Sequence, residues 1–157
     1  MANDGLRDLE QQAWAGFLLT HDRLWRELEA GLAPMNMSMA EYNVLTLLEA
    51  AGEDGMRMSD LARERLMSTG GVTRLADRLQ QRGLIRRRQS SVDARSFDMV
   101  LTRDGQAALD RARARHHQDL RRLVFDRLDD DQLRCLATVW QQLVPPEGAG
   151  PSDQRTC

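Results

Sequence analysis

Thr69, Gly70, Thr73, Arg74 and Arg78 are spaced so that they share one face if the segment is helical. Small and hydroxylated residues at the start of such a helix let its end approach base edges closely. Arg74 can then reach a guanine edge or a phosphate. Further on, Asp93 and Arg95 sit two apart in a short polar stretch. Across a tight turn the carboxylate can hold the guanidinium in one direction, toward a narrow, electronegative minor groove. The chemistry these residues offer is recognition of duplex DNA rather than bond-making.

Positioning them requires a helix and a hairpin. Ser68 stands where an N-cap belongs, and Val72, Leu75, Ala76 and Leu79 recur at three- and four-residue steps as one buried stripe. Gly83 suits the position just past the helix end, so the helix is predicted over about 69–82. A preceding helix opens at Ser59 and ends near Met67. Leu84 and Ile85 lead into Arg86, Arg87 and Arg88, with Arg86 placed to touch a phosphate. Phe97, Met99 and Leu101 return at period two and are expected to share a face packed on the helices. Residues 56–58 can add a third strand. A helix pair followed by a basic hairpin presents one helix to the major groove and the hairpin tip to the minor groove.

These segments resemble the MarR family of winged-helix transcription regulators. The likeness is carried by MRMSDLARERLMSTGGVTRLADRLQQRGLIRR (56–87) and VDARSFDMVLTRDGQAAL (92–109). The family pattern appears as Val72-Thr73-Arg74-Leu75, Asp77-Arg78-Leu79-Gln80 and Gly83-Leu84-Ile85, with Gln80 where a Glu is usual, and the D-x-R of the wing is met by Asp93 and Arg95. The resemblance implies a homodimer that represses or activates genes, often in response to a small aromatic ligand.

At 157 residues the chain fits one domain, predicted over 1–146, with a winged helix-turn-helix lobe at 35–102. The fold class is mainly α with a small β-hairpin wing. The composition, 41% hydrophobic and 29% charged, is that of a globular protein. No apolar run approaches a membrane span and the first ten residues show no signal-peptide pattern, so the default location is cytoplasmic. The net charge of −2 seems to oppose DNA binding, but its distribution does not. Residues 57–103 carry eleven arginines against five acidic residues, while the remainder carries eleven against nineteen. Every basic residue is arginine, a side chain that suits bidentate phosphate and guanine contacts, but the absence of lysine fits a GC-rich coding bias and carries no functional reading.

Flanking helices are predicted over 6–30 and 104–144, the latter as a long helix to about Leu128 and a second over about 129–144. Ser38 with Glu41, and Asp129 with Gln132, have capping-box spacing. Pro145 and Pro146 stop the last helix, and 147–157 reads as a disordered tail. The apolar stripes of the terminal helices have no partner inside a winged-helix core. They must bury against each other or a second chain, and a two-fold dimer sets its recognition helices roughly 10 base pairs apart on a pseudo-palindromic operator.

Trp14, Phe17, His21 and Trp25 lie on one side of the first helix, with Tyr42 in the next. They can line a pocket for a planar, weakly acidic effector, or serve simply as core. Catalytic and metal-binding motifs are absent: there is no P-loop, no H-E-x-x-H and no nucleophile elbow, and Cys135 and Cys157 are too few and too far apart for a zinc site. No cofactor is expected. The competing reading is a winged helix used for protein contacts without an effector.

Overall fold

The chain opens with a 25-residue helix, α1 (Asp8–Leu32), two residues later at each end than predicted. Its first turn is fixed by Glu10, whose carboxylate accepts from Arg7 N at 2.9 Å. Of its residues only Leu28, Gly31 and Leu32 are buried. A 3-10 turn (Ala33–Met35) carrying Pro34 ends it. The second helix, α2 (Met39–Ala51), opens on the expected capping box. Glu41 N donates to Ser38 Oγ at 3.2 Å, and Ser38 N donates to Glu41 Oε2 at 2.9 Å. Glu29 of α1 accepts from Met39 N at 2.7 Å, so α1 also helps to cap α2.

The computed structural model describes residues 5–64, 69–90 and 96–143, in two compact units that meet in sequence between Asp119 and Leu120. Within the first unit, α2 is followed by β1 (Met56–Arg57), α3 (Met58–Glu64), α4 (Thr69–Gln81), β2 (Ile85–Gln89) and β3 (Phe97–Leu101). The third strand foreseen at 56–58 is present. It pairs antiparallel with β3 and makes the order β1-β3-β2. The helix stripe read from the sequence forms the lobe's core: Val72, Leu75, Ala76 and Leu79 are each no more than 2% exposed. Leu45, Leu48, Leu61, Ile85 and Met99 are buried to the same degree. Each of these valine, leucine, isoleucine and methionine side chains contributes roughly 1.5–3 kcal/mol on leaving water, and Ala76 less.

The hairpin departs from its expected packing in one respect. Phe97 shares the face of Met99 but is 55% exposed, because it pairs with Gln89 at the far end of the ladder, beyond the reach of the helices. Conversely Asp98 and Val100, on the other face, are buried, since β3 is the central strand and has neighbours on both edges.

At the end of α4 the chain reverses through a Schellman motif. Leu84 N donates to Leu79 O and Gly83 N to Gln80 O, both at 2.9 Å, with Gly83 at φ +70°. Thr102 then binds the same turn. Its N–H donates to Leu84 O at 3.1 Å, and its hydroxyl donates to Gly83 O at 2.7 Å and accepts from Gly105 N at 2.9 Å. That last bond caps α5 (Arg103–Leu123).

The predicted long helix ends at Leu123, five residues early. Val124 leaves helical geometry at φ −128°, ψ −65°, and a 3-10 turn (Phe125–Arg127) follows. Arg127 Nε then donates to Arg122 O at 3.2 Å, satisfying a carbonyl that the ended helix leaves free. The last helix, α6 (Asp130–Leu143), opens on the foreseen capping box, Gln132 N to Asp129 Oδ1 at 2.8 Å and Asp129 N to Gln132 Oε1 at 3.0 Å. None of its residues is buried. The expected tail at 147–157 lies outside the described residues.

A Cβ on Gly105 would lie 2.0 Å from Leu84 O and 2.8 Å from Leu101 Cδ1. The nearer atom is backbone and held by two bonds from Thr102, so it cannot yield cheaply. Gly105→Ala is expected to cost about 2–3 kcal/mol, the upper part of the range for an overpacked core. Urea unfolding of the two proteins measures this, and an unchanged midpoint would show that the junction has slack.

Candidate nucleic-acid interface

The buried stripe of α4 fixes which residues it turns outward. Gly70, Arg74 and Arg78 are exposed, and Thr73 is half-buried. Thr69 begins the helix, while Ser68 lies outside the described residues. Arg74 makes no ion pair or hydrogen bond with any described residue, so its guanidinium is available to a ligand. Gly71, Arg74, Asp77, Arg78 and Gln81 together line an open groove on this outer face. The C-terminal part of the helix is also tied to Glu41 of α2. Its carboxylate lies 3.4 Å from Arg82 and 4.0 Å from Arg78, in addition to closing the cap of its own helix. A single buried carboxylate thus relates α2 to α4.

The wing arginines divide by strand parity. Ile85, Arg87 and Gln89 share one face of β2, in register with Leu101, Met99 and Phe97. Arg87 therefore points to the α4 side, where its Nη2 lies 2.5 Å from Asp77 Oδ1. Both partners are well exposed, so the pair orients the wing more than it stabilises it. Arg86 and Arg88 occupy the opposite face with Val100 and Asp98. Arg87 is the residue that sequence reasoning passed over. The alternation starting from buried Ile85 carried the signal. Asp93 and Arg95, assigned to the wing tip, lie outside the described residues. The described residues on either side of them are joined by Ser90 N donating to Ser96 O at 2.9 Å.

The aromatic residues of α1 form a ladder along one exposed face. Trp14 and Phe17 stack at 5.6 Å between ring centroids, Phe17 and His21 lie at 6.3 Å, and His21 and Trp25 stack at 6.1 Å. Trp14, Phe17 and Trp25 are 55%, 41% and 45% exposed. Tyr42 sits elsewhere. It is buried on α2 against His116 of α5, with ring centroids 4.7 Å apart. Next to this pair, Glu49 of α2 is bound by Arg113 and by Gln106, the latter at 2.6 Å. Those bonds hold the Glu49 carboxyl below its ordinary pKa. His116 Nδ1 is buried and has no hydrogen-bond partner among the described residues. Burial pushes the imidazole below its ordinary value and neighbouring His117 adds to this, while Asp119 opposes it. Among the described residues no group of three acidic, histidine or cysteine side chains is placed to hold a metal ion. No helix there is long and apolar enough to cross a membrane. Cys135 is exposed on α6, and Cys157 lies outside the described residues.

Comparison with known proteins is consistent with this geometry. Residues 35–96 match the model of the MarR family. The multiple antibiotic resistance protein MarR of Salmonella typhimurium is 28% identical over 120 residues, 76% of this chain and 82% of that protein. Among solved structures, AbsC, a MarR family transcriptional regulator from Streptomyces coelicolor, is 29% identical with a TM-score of 0.80, over 90% of this chain and 95% of that one. Sco3205, another MarR family regulator from the same organism, was solved in complex with DNA. It is 26% identical with a TM-score of 0.81, over 92% of this chain and 95% of that one.

The His116 environment generates a pH dependence. Its pKa is lower folded than unfolded, so the unfolded chain binds more protons between the two values and stability rises with pH there. The contribution is complete above the ordinary value of 6.5 and is lost as pH falls through the folded value. Thermal midpoints recorded from about pH 8 to about pH 5 should fall below 6.5. His116→Phe, which keeps a ring against Tyr42, should flatten that decline. An identical slope in the variant would assign the effect to other groups.

Proposed function

Because the chain belongs to the MarR family of winged-helix transcription regulators, we propose that it is a dimeric, sequence-specific DNA-binding regulator, a cytoplasmic repressor released by a small aromatic or phenolic ligand. Members of this family are regulators, not enzymes. The observation that carries the reading is the outer face of α4. Gly70, Thr73, Arg74 and Arg78 project there from a helix whose other side is locked into the core. Small residues admit the helix end to the major groove, and Arg74 reads a guanine edge. Arg78 and Arg87 hold phosphates and Arg95 enters the minor groove, while Arg86 lies on the opposite face of β2 from Arg87. That Sco3205, similar over nearly the whole chain, was solved in complex with DNA supports DNA as the partner.

The proposed dimer is supported by two exposed apolar faces. The aromatic ladder of α1 is exposed, and on α6 Trp140 and Leu143 are 41% and 67% exposed. Covering such faces with a second copy removes them from water and produces a two-fold axis. The two α4 helices then meet one side of a pseudo-palindromic operator, roughly one DNA turn apart. The same ladder supplies the effector surface. Trp14, Phe17 and Trp25 offer stacking area, and His21 offers a hydrogen bond to a phenol or an acid; Tyr42, buried against His116, is set apart from this surface. A ligand there releases DNA only by favouring a spacing of the α4 helices that the operator cannot accept.

Two outcomes test the reading. Arg74→Ala should reduce the preference for operator over random duplex by roughly 1–3 kcal/mol, measured at fixed salt. An intact specificity ratio would assign base reading to another residue. Phe17→Glu should sediment as a monomer and bind operator on the order of 10²-fold more weakly, since each half-site then binds alone. A dimer of wild-type affinity would remove α1 from the interface.

A further inference from the structure

A second basic surface lies on the opposite face of the wing from Arg87. Arg86 and Arg88 of β2 line a cleft with Arg103, the first residue of α5, and with the end of α2. Its volume of about 660 Å³ is within the range of small-molecule sites. No lining residue is shared with the groove on the outer face of α4.

The charge here is only partly compensated within the cleft. Neither Arg86 nor Arg103 makes an ion pair or hydrogen bond with any described residue. Arg88 donates to Asp54 O at 2.9 Å, a neutral acceptor, and stands in register with buried Asp98. Of the two lining carboxylates, Glu49 is already engaged by Arg113 and Gln106. Glu53 is left to face the three arginines. Val100 and Leu101 give the cleft an apolar wall.

We propose that this cleft binds a small phosphate monoester, independently of DNA. Guanidinium groups present paired N–H donors that match phosphate oxygens, and a cleft carrying three of them favours a dianion over a carboxylate. The organic group lies against Leu101 and Val100. Two of the arginines ride on β2 and the third on α5, so the bound ester links the wing to that helix.

Phenyl phosphate is the probe, titrated into the full chain without DNA. Calorimetry and thermal shift are run with sodium chloride adjusted to constant ionic strength, because exposed charges are sensitive to salt. Saturable binding and a raised midpoint are expected. Arg103→Gln, which keeps a good helix former, should weaken Kd by about tenfold or more. Arg121→Ala, which removes an exposed arginine elsewhere on α5, should bind as the wild type does. The proposal is overturned if phenyl phosphate fails to saturate, if phenol binds equally well, or if Arg103→Gln and Arg121→Ala lose affinity alike. It is also overturned if Arg103→Gln weakens operator binding as much as Arg74→Ala does, since the cleft arginines would then serve DNA. Circular dichroism of Arg103→Gln, with Arg86→Gln as a second variant, separates loss of the site from loss of the fold.

Discussion

The carbonyl of Leu84 is the point on which the DNA-binding lobe turns. It accepts from the backbone of Thr102 and lies beside the Thr102 hydroxyl, while the bare α-carbon of Gly105 passes against it. The end of α4, the first residue of the wing and the first turn of α5 are thereby fixed at one place. A helix can be aimed at a groove only if something rigid holds its far end. Here a Schellman turn and one threonine fix that end, while the buried stripe holds the length of the helix. Glu41 adds a second tie, with one carboxylate that closes the cap of α2 and faces Arg78 of α4 and Arg82 just beyond its end.

Local rules made the lobe legible. The stripe Val72, Leu75, Ala76, Leu79 is a strong helical period, and its burial leaves Arg74 and Arg78 no direction but outward. The capping boxes at Ser38 and Asp129 are short-range hydrogen-bond patterns, which sequence spacing nearly determines. What escaped is what depends on distant neighbours. Phe97 obeys the alternation yet stays wet, because alternation assigns a face and cannot tell how far along the hairpin the helices extend. Burial of Asp98 follows from β1 pairing on the far edge of β3, a contact some forty residues away in sequence. The early end of α5 at Leu123 is a choice between two hydrogen-bond patterns, settled by the arginine that reaches back to Arg122 O.

The candidate site was legible to the same degree. The helix face could be written down residue by residue. The division of the wing arginines required the register of β2, which placed Arg87 with Asp77 and sent Arg86 to the other face. The aromatic ladder of α1 appeared as expected from its three- and four-residue spacing. Tyr42 did not join it, because its position in the first turn of α2 puts its ring against α5.

The placement of the indoles has an optical consequence. The chain has three tryptophans, Trp14 and Trp25 on α1 and Trp140 on α6, each at least two-fifths exposed. None lies between α2 and the wing. Tryptophan fluorescence therefore reports on the two flanking helices and is dark to the lobe. A blue shift in emission registers the covering of those helix faces, by a protein surface or by a stacked aromatic compound. Denaturation followed by this signal describes the loss of that environment, and melting of the lobe has to be followed through the peptide bond instead.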